Sequence, residues 1–324
     1  MARWDREPEK PSIPDWFFTA VETPYEECRV EVDDCDVVYQ RWGGAPAAAP
    51  PLLLIHGMNA HAHWWDFIAP QLAHEYRVAA MNLTGMGDSD YRYAYDGSTW
   101  ADEIRAVCDH AGFGSDVVLV AHSFGGYMSV KAANRFPDRF GGLVLVDSGI
   151  RHPDDPPPER TMMGGRAKAY PDRATALARF RLQPPQPCAN TYILEYIARH
   201  SLLAVDGGGW AWKFDDDLPN VMKDVLRTPD EYRNLRLPLA LIYGRQSELF
   251  SSRTLDYMRE LVPQDFPAVG IEEAQHHVFL DQPLEFIAVL RQLLGGIGAR
   301  GPEDTPGEAA PAHAQGTPPA TPQP

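Results

Sequence analysis

Cysteine, cationic residues and long apolar runs are all scarce in this 324-residue chain, and each scarcity removes a class of protein. The four cysteines, Cys28, Cys35, Cys108 and Cys188, have no C-x-x-C spacing. Reduced thiols are therefore expected, with neither a disulfide framework nor a zinc site. Lys and Arg number 29 against 45 Asp and Glu, a formal charge of −16. A phosphate backbone needs clustered cations, so nucleic acid is not expected as a partner. No apolar run reaches the ~20 residues of a membrane span, and Met1 to Pro8 lack the apolar core of a secretion signal. A cytoplasmic location without membrane association is the expectation. Gly85-Met86-Gly87 lacks the third glycine and the helix start of a phosphate cradle, so its glycines are expected to serve a turn. His61 and His63 read as surface or pocket residues rather than metal ligands. No cofactor and no metal are implied.

What is present is enough to build one sizeable core: 44% hydrophobic residues with 23% charged. Val117-Val118-Leu119-Val120-Ala121-His122-Ser123-Phe124-Gly125-Gly126 is a buried-strand pattern that runs into a serine and then into a helix start. A serine on such a turn is held in a strained backbone conformation, and the positions two before and two after it must be small. Here they are Ala121 and Gly125, with Ala121 in place of the usual first glycine of G-x-S-x-G. Three further apolar runs end on polar loops: Pro51 to Ile55 before His56-Gly57, Gly142 to Val146 before Asp147, and Leu239 to Tyr243 before Gly244. Late in the chain, Gln275-His276-His277 leads into Val278 to Pro283. A serine hydroxyl is a weak nucleophile, so it needs a base in hydrogen-bond reach and a carboxylate to orient that base. Ser123 is the candidate nucleophile. His276 and His277 are candidate bases that cannot both point into one site, and Asp147 and Glu248 are candidate acids.

The order of strand, elbow serine, strand-end acid and late histidine resembles the α/β-hydrolase superfamily over roughly residues 28 to 296. That resemblance implies an α/β fold, a mostly parallel, doubly wound sheet with an inserted helical cap. It favours His276 over His277, because family members place the histidine seven residues before a proline, here Pro283. His277 is then a wall residue. The commonest family pattern puts an Asp three residues after the glycine that ends the seventh strand, and here that position is Ser247. A subset carries the acid at the end of the sixth strand instead, which points to Asp147, with Glu248 as the rival. The resemblance also assigns the oxyanion-binding amides to Phe124 and Met58 and a substrate pocket to His56, Trp64, His122 and Trp210, although Trp210 and Trp212 also read as simple packing residues. Dehalogenases and epoxide hydrolases of this fold carry an Asp at the elbow, so Ser123 counts against both. The implied function is hydrolysis of a carboxylic ester or lactone of a small, largely apolar substrate through an acyl-enzyme. The alternatives are a C-C bond hydrolase acting on a diketone, or a non-catalytic ligand-binding member of the fold. A small-molecule substrate is the one partner expected.

Composition divides the chain further. Residues 1–27 are Pro-rich and charged and read as an extended arm, whose patch Trp16-Phe17-Phe18 packs onto the body. A hairpin follows, turning at Asp33-Asp34. Residues 28–147 and 237–298 form the expected core and 148–236, rich in proline and helical patches, the expected cap. Gly207 to Asp215 reads as a hinge out of that cap. Residues 299–324 are a Pro- and Ala-rich tail that cannot bury enough apolar surface to fold.

Overall fold

The computed structural model of the protein describes residues 13–155, 169–225 and 227–298. The first twelve residues of the expected arm, the three consecutive prolines 156–158 and the expected tail 299–324 lie outside the described residues.

Eight strands form one sheet: β1 (Tyr25–Val32), β2 (Cys35–Trp42), β3 (Pro51–Ile55), β4 (Arg77–Met81), β5 (Val118–His122), β6 (Gly142–Val146), β7 (Leu239–Gly244) and β8 (Ala268–Ile271). Their order is β1-β2-β4-β3-β5-β6-β7-β8. β1 and β2 pair antiparallel as the expected hairpin, and β2 joins β4 antiparallel. All pairings from β4 to β8 are parallel. β3, β5 and β6 are buried at every residue, so they read in sequence as unbroken apolar runs rather than as alternation.

Both faces of the sheet are covered. Leu53, Ile55, Leu119, Leu143, Leu145 and Leu241 turn to one face. There they meet α2 (Gly97–His110), α3 (Phe124–Arg135) and α5 (Ser252–Leu261) through Trp100, Met128 and Met258. Their chain neighbours Leu52, Leu54, Val120, Val144, Val146 and Ile242 turn to the other face and meet Phe286, Leu290 and Leu294 of α6 (Pro283–Gly298). This period-two division of one apolar run between two cores is what fixes strand register.

The expected extended arm differs from the structure at Asp15–Val21, which form a helix, α1. Pro14 supplies the preset φ of −66° just before it, and Asp15 places a carboxylate in its positive first turn. Phe17 is buried and packs against Phe67, Tyr192 and Tyr196 at ring separations of 5.8, 4.9 and 5.7 Å.

Between β6 and β7 lies an insertion. Its described parts include α4 (Thr191–His200) and a hairpin of Leu202–Ala204 with Trp210–Trp212. The glycines expected as a hinge are the turn of this hairpin, where Gly207, Gly208 and Gly209 take φ of 84°, 94° and 112°. The insertion is tied to the body by polar bonds: His61 Nε2 to Ser201 Oγ at 2.8 Å, Tyr196 Oη to Asp66 Oδ2 at 2.6 Å, and Tyr95 Oη to Asp215 Oδ2 at 2.7 Å. Among the described residues, no helix is long and apolar enough to cross a membrane.

Candidate active site

The chain leaves β3 toward β4 on one side and returns through β5 on the other, so the sheet's switch point lies between β3 and β5. Loops at the carboxyl ends of strands beside such a point form a natural crevice. His56-Gly57-Met58 follows β3 and Ser123 follows β5.

Ser123 has φ 50° and ψ −115°, a backbone conformation that costs a non-glycine residue about 1–3 kcal/mol and persists only where its surroundings hold it. Three bonds do so: its N–H donates to Val146 O at 3.0 Å, and its carbonyl accepts from Gly126 N at 3.0 Å and from Ser148 Oγ at 2.8 Å. The turn also presses α3 onto the end of β3. A Cβ on Gly125 would stand 2.3 Å from the His56 carbonyl oxygen and 2.8 Å from Ile55 Cγ2. The Cβ of Ala121, by contrast, is accommodated within the fully buried strand.

His276 sits in the loop after β8, buried, with its two ring nitrogens aimed at different partners. Nε2 lies 3.0 Å from Ser123 Oγ and Nδ1 lies 2.7 Å from Asp147 Oδ1. A carboxylate only accepts, so Nδ1 carries the proton, and Nε2 is left as the acceptor facing the serine hydroxyl. Asp147, at the end of β6, also takes a left-handed backbone conformation with φ 44°. Its Oδ2 accepts from Gly244 N at 2.9 Å and its Oδ1 accepts from Ser247 Oγ at 2.7 Å as well as from His276. Glu248 is exposed on the loop after β7.

The remaining candidates are placed as follows. His56 is a buried pin: Nδ1–H donates to Gly57 O at 2.7 Å and Nε2 accepts from Leu83 N at 3.1 Å. Burial lowers its pKa to about 4, so it is neutral. His122 Nε2–H donates to His276 O at 3.1 Å, which steadies the histidine loop from below. Burial, with His276 and His277 beside it, lowers its pKa well below the ordinary value. Trp64 is buried with its ring 5.3 Å from that of His277. Its neighbour Trp65 stacks on Phe279 at 4.6 Å, so only Trp64 stands next to the histidine loop. Trp210 lies in the insertion's hairpin, paired with Tyr170 and covered by the Arg173 guanidinium at 5.5 Å. Met58 is half-buried and Phe124 buried. Gly85 and Gly87 take φ of 82° and 65°, as turn residues do.

His277 N–H donates to Gln186 Oε1 at 3.0 Å, a bond from the insertion to the catalytic-side loop. Its ring is buried, and neither nitrogen has a partner in hydrogen-bond geometry, although the Gln183 and Pro184 carbonyls face it. Burial keeps this imidazole neutral well below the usual pH. His122, His276 and His277 each offer a nitrogen within 4.8 Å of the others. Both ring nitrogens of His276 are occupied, so it would have to release Ser123 or Asp147 to serve as a metal ligand.

Two residues in this assembly escape sequence reasoning. Ser148 anchors the elbow's carbonyl, and Ser247 donates to the acid; a serine carries no spacing signature that announces either bond.

Sheet order, elbow and late histidine loop together define an α/β-hydrolase fold, and the family model described as alpha/beta hydrolase fold matches residues 50–187. The chain is similar to an esterase of Mycobacterium tuberculosis, 26% identical over 267 residues that cover 78% of this chain and 85% of the relative. It is also similar to a pimeloyl-acyl-carrier-protein methyl ester esterase of Neisseria meningitidis, 25% identical over 264 residues covering 78% and 79%. Among solved structures, the thioesterase domain from the curacin biosynthetic pathway superposes with a TM-score of 0.68 at 20% identity, covering 83% of this chain and 99% of that one.

Proposed function

We propose that the protein is a serine hydrolase that cleaves a carboxylic ester of a small, largely apolar substrate. The observation that carries this reading is the continuous line from Ser123 Oγ through His276 to Asp147, with bonds of 3.0 and 2.7 Å, beginning at a half-buried serine on a strained turn. The esterase relatives support the choice of an ester as the reacting group.

In this reading Ser123 Oγ attacks the ester carbonyl carbon while its proton passes to His276 Nε2. Asp147 holds the resulting imidazolium in place and balances its charge. The backbone N–H groups of Met58 and Phe124 receive the developing oxyanion; losing one such donor costs roughly 10²–10³ in rate. His276 then gives its proton to the departing alcohol, leaving an acyl group on Ser123. Water, deprotonated by the same imidazole, releases the acid and restores the serine. The insertion between β6 and β7 acts as the cap, through α4 and the Gln186 bond to the histidine loop. Trp64, buried beside His277, supplies apolar wall.

The test is turnover of p-nitrophenyl esters of increasing acyl length by the intact chain and by Ser123→Ala. Activity in the first that disappears in the second is the expected result, and the acyl length at the optimum sizes the pocket. Equal rates for the two proteins would remove Ser123 from the chemistry and end the proposal.

A further inference from the structure

The loop after β7 is where the commonest arrangement of this fold supplies the acid, and in this chain it supplies none. Instead it sends two donors to the acid on β6. Gly244 N bonds Asp147 Oδ2 at 2.9 Å, and Ser247 Oγ bonds Asp147 Oδ1 at 2.7 Å. Oδ1 is also the oxygen that faces His276 Nδ1, at the same 2.7 Å. Ser247 is itself held: its N–H donates to Gly244 O at 3.0 Å and its Oγ accepts from Leu249 N at 3.3 Å. The hydroxyl therefore has a fixed direction, with its proton on Asp147 and its lone pair on a loop amide.

We infer that Ser247 is a positioning residue for the reaction, one that aims the Asp147 carboxylate at His276. The inference rests on the reading of Ser123, His276 and Asp147 as the reacting line. A carboxylate on a short side chain can rotate about its last bond. Gly244 N fixes one oxygen, and Ser247 Oγ fixes the other in the plane that meets Nδ1–H. Without that hydroxyl, Oδ1 keeps its charge but loses its orientation, so the imidazole is less often in the tautomer and direction that accept the serine proton. Such a loss affects the reacting step and leaves substrate binding alone, since Ser247 touches the acid rather than the substrate side of the serine.

The experiment compares Ser247→Ala and Ser247→Thr with the intact chain, using inactivation by an alkyl fluorophosphonate, which reports serine reactivity whatever the natural substrate is. The maximal inactivation rate and the half-saturating concentration are measured separately, with urea unfolding midpoints alongside. Loss of one hydrogen bond to a charged group corresponds to about a tenfold fall. Ser247→Ala is expected to lose that factor in the maximal rate with its half-saturating concentration unchanged, and Ser247→Thr, which keeps the donor, to stay within about twofold of the intact chain. An unchanged maximal rate in Ser247→Ala overturns the inference, as does a loss in Ser247→Thr as large as in Ser247→Ala. Asp147→Asn separates the two levels. If it reacts as fast as the intact chain, or if the intact chain is not labelled at Ser123, the underlying reading fails and takes the inference with it. If Asp147→Asn is slow while Ser247→Ala is not, the inference about Ser247 fails alone.

Discussion

Three donors, His276 Nδ1, Ser247 Oγ and Gly244 N, converge on the Asp147 carboxylate, while Glu248 four residues past the strand end is exposed. The two acids are therefore unequal in consequence. Asp147→Asn keeps the volume and removes the charge that steadies the imidazolium. It also lets an amide N–H₂ face donors, which favours the wrong imidazole tautomer; a loss of about 10³–10⁴ in kcat is expected. Glu248→Gln is expected to leave kcat within about twofold, the ordinary size of an exposed substitution away from special contacts. Comparable losses in the two variants, measured on one ester, would move the acid to the β7 loop. Ser123, His276 and Asp147 could be named from the sequence because each sits at the end of an apolar run or at a fixed spacing from a proline, and the structure brings all three into one bonded line. Ser247 could be located but not interpreted. Its bond spans 100 residues and depends on how closely the loops after β6 and β7 approach, which no local pattern encodes.

At the scale of elements, the elbow is the feature on which both packing and chemistry depend. Gly125 lets α3 start against the carbonyl end of β3, and a Cβ there would collide with backbone, not with the tip of a flexible side chain. Gly125→Ala is accordingly expected to cost about 1–3 kcal/mol of unfolding free energy, the usual range for overpacking a tight site. Because the displaced strand end leads into Met58, kcat is expected to fall as well. A urea midpoint and an ester rate both equal to those of the intact chain would contradict this account of the turn. The central strands were legible because burial on both faces leaves an uninterrupted apolar run. Helix α1 was not, since its seven residues are too few to display a helical period and Phe17 is fixed by Phe67 and Tyr192 from distant segments. The three glycines 207–209 have the composition of a hinge, and only the pairing of Leu202–Ala204 with Trp210–Trp212 distinguishes a hairpin turn from one.

For the molecule as a whole, the formal charge of −16 is legible in composition, but the response to acid depends on which titratable groups are buried. His56, His61, His122 and His277 all have pKa values lowered chiefly by burial, His56 to about 4. In the unfolded chain each takes up a proton near pH 6.5, while in the folded protein each stays neutral until lower pH. The unfolded state therefore binds more protons below pH 6.5, and stability is fully present above that pH and declines as pH falls toward 4. One buried group pulls the other way. Glu103 has its pKa raised to about 7 by burial, so the folded state takes up its proton first and gains stability as pH falls through 7. Each fully separated group contributes about 1.4 kcal/mol per pH unit, so four histidines outweigh one glutamate. A net loss of about 3–4 kcal/mol in unfolding free energy is expected between pH 7 and pH 5.5, read from urea transitions at the two values. Equal or greater stability at pH 5.5 would mean that these imidazoles are hydrated and charged in the folded protein, including the pair His122 and His277 that flank His276.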